Sequence, residues 1–405
     1  MPPVNQQPPV SNGVARDDHK RGPTPAGDAG PPNNNTPPAA QNTQPPAKRE
    51  SGQAKPPERR HPRQARPTPP PVPPATQPTN QPKKNVAPPP VQAGTPPGRP
   101  PRGDGRRFSG SIDDIKRGRR QRTEDGGKRT IIEEPGNRVI VQEKGAPAMI
   151  RHDEAERMSR NSRDVRKERR PDGGNLTIAI RPGGVEVYSE FDSSGRLMRR
   201  YRRDRGGRET DLIDNRRFRA GAPIVLQLGP PRLRMRRDRY IMDYTRASDD
   251  DLYDALMDGP VDRLERGYSL DEIRYNAYLR DRMRRVDLDT VNFEFGSWQV
   301  PYDQYRRLER IANIINRILD RHPGEVFLIE GHTDAVGSEL DNLTLSDRRA
   351  EEVAVILTET FNVPPENLIT QGYGEEFPKV PTLAAEPENR RVAVRRITPL
   401  LARRN

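Results

Sequence analysis

The chain of 405 residues contains no cysteine, one tryptophan and only 5% aromatic residues. The absence of cysteine excludes disulfides and thiolate metal sites and leaves the redox compartment open. No window approaches eighteen apolar residues, which excludes a transmembrane helix. The start, MPPVNQQPPV, lacks the basic-then-apolar profile of a secretory signal.

Proline is abundant but uneven, with 30 of the 46 prolines at or before Pro101. Stretches such as PPPVPPATQPTNQP hold almost no large apolar side chains and cannot bury enough surface to offset chain entropy. Residues 1–107 are therefore expected to be disordered and partly polyproline II. The net charge of +13 is uneven too. Residues 1–107 hold 16 Lys/Arg against 6 Asp/Glu, whereas residues 286–405 hold 14 against 20. The basic tail and middle point to polyanions such as nucleic acid, anionic lipid or wall polymers, without choosing among them.

From Phe108 the pattern changes to short β-branched runs separated by strong turn signals. RTIIEEPGNRVIVQE carries two such runs around Pro135-Gly136-Asn137, and further runs break at PGG, SSG and RGG. These predict a basic β-rich hairpin region over 108–247. An outer-membrane barrel would need strands about ten residues long with aromatic girdles, and these short strands run into clusters such as LMRRYRRDR. Residues 248–285 read as a helical connector, a charge-rich solvated support with Ser269 as an N-cap. It lacks the aromatic interleaving that base stacking needs.

The strongest patterning is C-terminal. TVNFEFGSW alternates like a strand. Tyr302, Tyr305, Leu308, Ile311, Ile315, Ile318 and Leu319 recur at helical spacing, and His322-Pro323-Gly324 stops that helix. A short apolar strand over 325–331 follows. The next helix carries Ala350, Val353, Leu357 and Phe361, and strands are expected near 368–372 and 391–397. The class is α+β, and over 286–399 the order β-α-β-α-β-β predicts a two-layer domain with helices packed on one sheet, followed by a tail at 400–405.

Between these elements lies IEGHTDAVGSELDNLTLSDRRA. Strand alternation would send Glu330, His332 and Asp334 to one side, which invites a metal reading. A strand ending near Thr333 breaks that alternation, and no second histidine is near. No metal or other cofactor is expected, and His332 reads as a hydrogen-bonded structural group at a strand end. No Ser or Cys nucleophile stands beside a base as in GxSxG, so catalysis is not expected. A helix starting near Asn342 would put Asn342, Ser346, Arg349 and Val353 on one face, turned towards Asp334. Arg grips carboxylate and Asp accepts from ammonium, so the opposed pair suits a zwitterionic amino-acid centre. The alternative is that Asp334 and Arg349 pair with each other, a contact of small value.

The run EGHTDAVGSELDNLTLSDRRA, with ITQGYGEEFP and ENRRVAVRR after it, resembles the OmpA/MotB/Pal peptidoglycan-binding domain. All four parts of that signature stand in order over about residues 287–398. The resemblance implies non-catalytic binding of peptidoglycan, with Asp334 and Arg349 gripping the diaminopimelate of the stem peptide. It also implies that Thr333, Asn342 and Arg390 touch the ligand, with Gly331, His332, Gly337, Leu345, Ser346, Asn389 and Arg391 in support. The layout resembles alphaproteobacterial OmpA-family proteins. A place in the cell envelope, periplasm or outer membrane, is therefore expected. The export signal or lipid anchor is expected upstream of the given start, and any membrane association would depend on it. Other envelope proteins and acidic envelope polymers are further expected partners, and nucleic acid is not. A MotB-like stator would need a transmembrane helix before the domain. The remaining rival is a cytoplasmic scaffold or nucleic-acid binder using the basic Pro-rich and middle regions.

Overall fold

The computed structural model describes residues 110–145, 148–218 and 226–402, all within one compact unit, Pro88–Asn405. The segment expected to be disordered, 1–107, lies outside the described residues.

The turn signals place the hairpins. Strands β1 (Arg120–Glu124), β2 (Arg129–Glu134), β3 (Arg138–Glu143) and β4 (Met149–His152) form an antiparallel meander in that order. Its β2–β3 turn takes Gly136 and Asn137 through φ values of 83° and 56°, conformations that Gly and Asn tolerate best. A second meander runs β5 (Asp164–Arg169), β6 (Asn175–Ile180), β7 (Glu186–Phe191), β8 (Leu197–Arg203) and β9 (Glu209–Asp214), turning at PGG, SSG and RGG. Short helices that the sequence pattern does not announce stand among the strands of the two meanders. They include α1 (Ile112–Gly118), which buries Ile112 and Ile115, and the single turn α2 (Ala155–Ser159).

The third sheet is built in the order β10-β11-β14-β12-β13. Here α3 (Arg237–Tyr240) leads into β10 (Ile241–Asp243), and β11 is Arg285–Asp287. Helix α7 (Arg306–Arg321) then precedes β12 (Phe327–Gly331), α8 (Glu339–Phe361), β13 (Leu368–Gly372) and β14 (Val392–Arg396). Two expectations are corrected. TVNFEFGSW is not a strand, because Phe295 points to solvent and Gly296 turns the chain at φ 68°, so only Ser297 bridges, to Ser111. The first strand of this domain is Arg285–Asp287 instead. Helix α8 begins at Glu339, with Ser338 accepting the Asp341 N–H at 3.1 Å as N-cap.

The sheet is also covered on both faces, where a two-layer domain was expected. Phe327, Ile329 and Val394 meet α7, α8 and α4 (Asp249–Met257) in one core. Their neighbours Val326 and Leu328, alternating to the other side, join Ile369 in a second core. That core is closed by α5 (Leu270–Tyr275), α6 (Ala277–Arg280) and β9 through Leu270, Ile273, Leu279 and Ile213. Residues 248–285 are therefore core-forming rather than a solvated connector, and β10 extends the sheet with a strand from before residue 248.

The polar side of α8 is buried as well. Ile132, Ile140 and Ile150 of the first meander pack on Leu343 of α8. Around them, basic residues of 119–181 meet the carboxylates of α8 and the turn after it. Arg119 bonds Asp341 at 2.6 Å, Arg138 bonds Asp347 at 3.0 Å, and Arg157 bonds Glu351 at 3.0 Å. Arg181 bonds Glu366 at 2.8 Å, and Arg160 pairs with Glu359. His152 stands between Asp347 (Nδ1, 3.1 Å) and Glu351 (Nε2, 3.4 Å). Burial disfavours its charge, but Asp347 and Glu351 outweigh burial and raise His152 to about 9. Much of the basic excess of the middle region is thus matched inside the molecule.

Candidate functional site

Strand β12 and helix α8 set the geometry of the site through two glycines. A Cβ on Gly331 would stand 1.9 Å from the Ser346 carbonyl oxygen, and one on Gly372 would stand 2.3 Å from the Asp347 nitrogen. The absence of both lets the first half of α8 lie directly on β12 and β13. Past the end of β12, His332 N–H donates to the Arg391 carbonyl (3.0 Å) and Thr333 N–H to the Gly374 carbonyl (2.9 Å). Ser346 Oγ accepts the Gly374 N–H at 2.8 Å and donates to the Leu343 carbonyl. The strand end, helix start and 372–374 turn are thereby fixed together.

Asp334 sits at the end of this scaffold and is only 4% exposed. Its Oδ2 accepts from Arg390 Nη1 at 2.7 Å and from the Glu386 N–H at 3.4 Å, and Oδ1 accepts from the Val336 N–H at 3.4 Å. Arg349 is 1% exposed. Its Nε donates to the Ser297 carbonyl (3.0 Å) and Nη2 to the Glu294 carbonyl (3.4 Å), its plane lies over Phe293 at 4.7 Å, and Nη1 has no partner. Burial and the neighbouring Arg390 charge push the Arg349 guanidinium down to about 9, with Asp334 acting the other way. Asp334, Arg349 and Arg390 therefore share one electrostatic environment. Asp334 takes Arg390 rather than Arg349 as its ion-pair partner, which corrects the alternative in which the first two neutralise each other.

The remaining residues of interest surround this group. Asn342, in the first turn of α8, donates to Glu375 at 2.6 Å, and Gly337 at φ 112° lies against the Asn342 amide. Thr333 Oγ1 is buried with no partner. Leu345 packs with Ile112, Ile115 and Trp298. Asn389 closes the 379–389 loop, accepting from Lys379 and Val380 N–H at 2.8 Å each. Arg391 donates to the Phe377 carbonyl at 3.1 Å.

His332 departs from expectation. Both ring nitrogens lack partners, so it is not a hydrogen-bonded group, and its ring stacks 5.7 Å from that of Tyr373. Burial, with Arg391 and other nearby guanidinium groups, holds it well below 6.5 and neutral. Glu330 does not join Asp334 either: it is bound by Arg395 (3.1 Å) and Arg280 (3.3 Å). Sequence reasoning missed Phe293, Glu294 and Ser297. The last two act through backbone carbonyls, which carry no residue signature; the aromatic at Phe293 was visible only as part of the supposed strand.

Chemically, the group offers a carboxylate able to accept from an ammonium and a buried guanidinium donor, Nη1, without a hydrogen-bond partner. An ammonium reaching Asp334 would replace Arg390 there.

Residues 292–392 match the OmpA family. Outer membrane porin F of Pseudomonas aeruginosa is 34% identical over 110 residues, covering 27% of this chain and 30% of that protein. The peptidoglycan-associated lipoprotein of Buchnera aphidicola is 31% identical over 90 residues, covering 22% of this chain and 49% of its own length. The crystal structure of the peptidoglycan-associated lipoprotein from Burkholderia pseudomallei shares 25% identity, covering 26% of this chain and 86% of that one, with a TM-score of 0.23. The chain thus spans under half the length of these curated relatives. The part that carries the site, residues 292–392, is an OmpA-family domain.

Proposed function

We propose that this domain binds peptidoglycan without catalysis and fastens the cell envelope to the wall. The ligand is the zwitterionic end of diaminopimelate in the stem peptide, its ammonium on Asp334 and its carboxylate on Arg349, with Thr333, Asn342 and Arg390 around it. The observation that carries this reading is the Arg349 guanidinium, 1% exposed, whose Nη1 lacks any partner. A buried donor left open costs stability unless a ligand uses it. The relatives named for the outer membrane and for peptidoglycan association support the same reading, including a place in the envelope.

Each charged hydrogen bond contributes roughly 1.5–3 kcal/mol. Against the entropy of association, one stem peptide is held at about micromolar to millimolar affinity. Firm attachment then comes from many wall sites engaged together. The test is co-sedimentation with purified sacculi of the diaminopimelate type and of the lysine type, whose side chain lacks the second carboxylate. Pelleting with the first only, lost in Arg349→Ala and strongly weakened in Arg349→Lys, is expected. Equal pelleting with both wall types, or full binding by both variants, overturns the clamp.

A further inference from the structure

The two meanders enclose a cleft of about 850 Å³ that the OmpA-family domain does not contain. One side is the face of the first meander turned away from α8, carrying Ile131, Val139 and Val141. The other side is the inner face of the second meander, with Lys167 opposite Thr177 and Arg169 opposite Asn175 across β5 and β6. Arg151 of β4 joins them, set beside the Tyr275 hydroxyl. Among the described residues, no carboxylate stands within ion-pair distance of Arg151, Lys167 or Arg169, in a region where most arginines are paired. All three are exposed.

Beneath the cleft the charge is also unbalanced. Glu154, which lines it, is approached by Arg200 (2.8 Å), Arg274 (3.2 Å) and Arg157 (3.6 Å). Arg157 is shared with Glu351, and that carboxylate with His152, which Asp347 shares with Arg138. The connected network holds five cations against three carboxylates, with Asp271 acting on Arg274 from the next turn. Arg200 is fully buried, and its Nη1 has no partner. His152, Glu154 and Arg274 of this network line the cleft.

We infer that this cleft is a second binding site, for an extended acidic peptide of a partner protein. A strand sends successive side chains to opposite sides, about 7 Å apart on each side. Carboxylates on one side of such a peptide meet Lys167 and Arg169, while its other side faces the first meander, where Val139 and Arg151 stand opposite each other in register. The chain's own N-terminal arm does not suit the cleft, being basic and rich in proline.

The inference is independent of peptidoglycan binding. The probe is a labelled synthetic heptapeptide of alternating Glu and Val, titrated into the full chain by fluorescence anisotropy at low and high salt. Salt-sensitive binding is expected, weakened about tenfold or more in Arg151→Glu/Lys167→Glu/Arg169→Glu. Circular dichroism and sacculus pelleting stay unchanged, because all three side chains are exposed. An absence of binding to the wild-type chain overturns the proposal, as does equal binding by the triple variant. Anionic vesicles or a DNA oligonucleotide binding through the same three residues, with the peptide unbound, would assign the cleft to another class of polymer and overturn it too.

Discussion

His152 offers a direct reading of how the middle region is held on α8. The imidazole is raised from 6.5 to about 9 because Asp347 and Glu351 outweigh burial. The folded state therefore keeps a proton that the unfolded chain releases above about 6.5. The stabilisation is fully present below that pH and is lost progressively as pH rises through 9. At about 1.4 kcal/mol per pH unit, the loss between pH 6 and pH 9.5 amounts to about 3 kcal/mol. Guanidinium unfolding at a series of pH values measures it, with His152→Gln as reference. At pH 6 the variant should be less stable by roughly 3–5 kcal/mol, because Asp347 and Glu351 lose a buried cation. It lacks the His152 loss up to pH 9.5, so the gap between the two curves should close. His332, held neutral by burial, adds stability as pH rises through about 6.5, and does so equally in both proteins, so it cancels in the comparison. Parallel curves for wild type and variant would refute a buried imidazolium at this position.

Three further outcomes follow from the packing. Gly331→Ala, with its Cβ 1.9 Å from the Ser346 carbonyl oxygen, should destabilise by about 3 kcal/mol, read as a fall in melting temperature. Arg348→Ala should lower stability without affecting sacculus binding, since Arg348 is bound to the Pro135 carbonyl and stacks 4.8 Å over Trp298. Arg349→Ala, which also removes buried contacts, should lower stability and abolish sacculus binding as well; retained binding, or a loss of binding in Arg348→Ala, would dissolve the distinction drawn between them. Ile140→Ala should cost about 2–5 kcal/mol and raise hydrogen exchange in β2–β4, because Ile140 is fully buried against Leu343; unchanged exchange would show that this meander is held without that contact.

Hairpins and C-terminal helices were legible because their signals are local. Pro135-Gly136-Asn137 and the glycine pairs fix turns within a few residues, and Leu308 through Leu319 repeat at helical spacing whatever they pack against. The strand expected at TVNFEFGSW fails for a local reason too: alternation alone did not weigh the turn at Gly296. Other misses are not local. Asp347 and Glu351 look like the solvated face of a helix, yet Asp347 is 0% exposed. Their burial depends on Arg138, His152 and Arg157, some 190 to 210 residues away. Leu270 and Ile273 read as connector residues until the second face of the sheet is seen to need covering.

For the site, the sequence by itself determined which chemical groups are present and that Asp334 and Arg349 flank one strand-turn-helix. It did so because the motif spacing and the short loop at Gly337 are properties of contiguous chain. Only the tertiary structure decided what each group touches. It placed Arg390 on Asp334, the carbonyls of Glu294 and Ser297 on Arg349, and no partner on the remaining guanidinium nitrogen. A charged side chain takes whichever partner folding brings within about 3 Å, and that distance is set by how the sheet, α8 and the loops pack together, not by their order in the sequence.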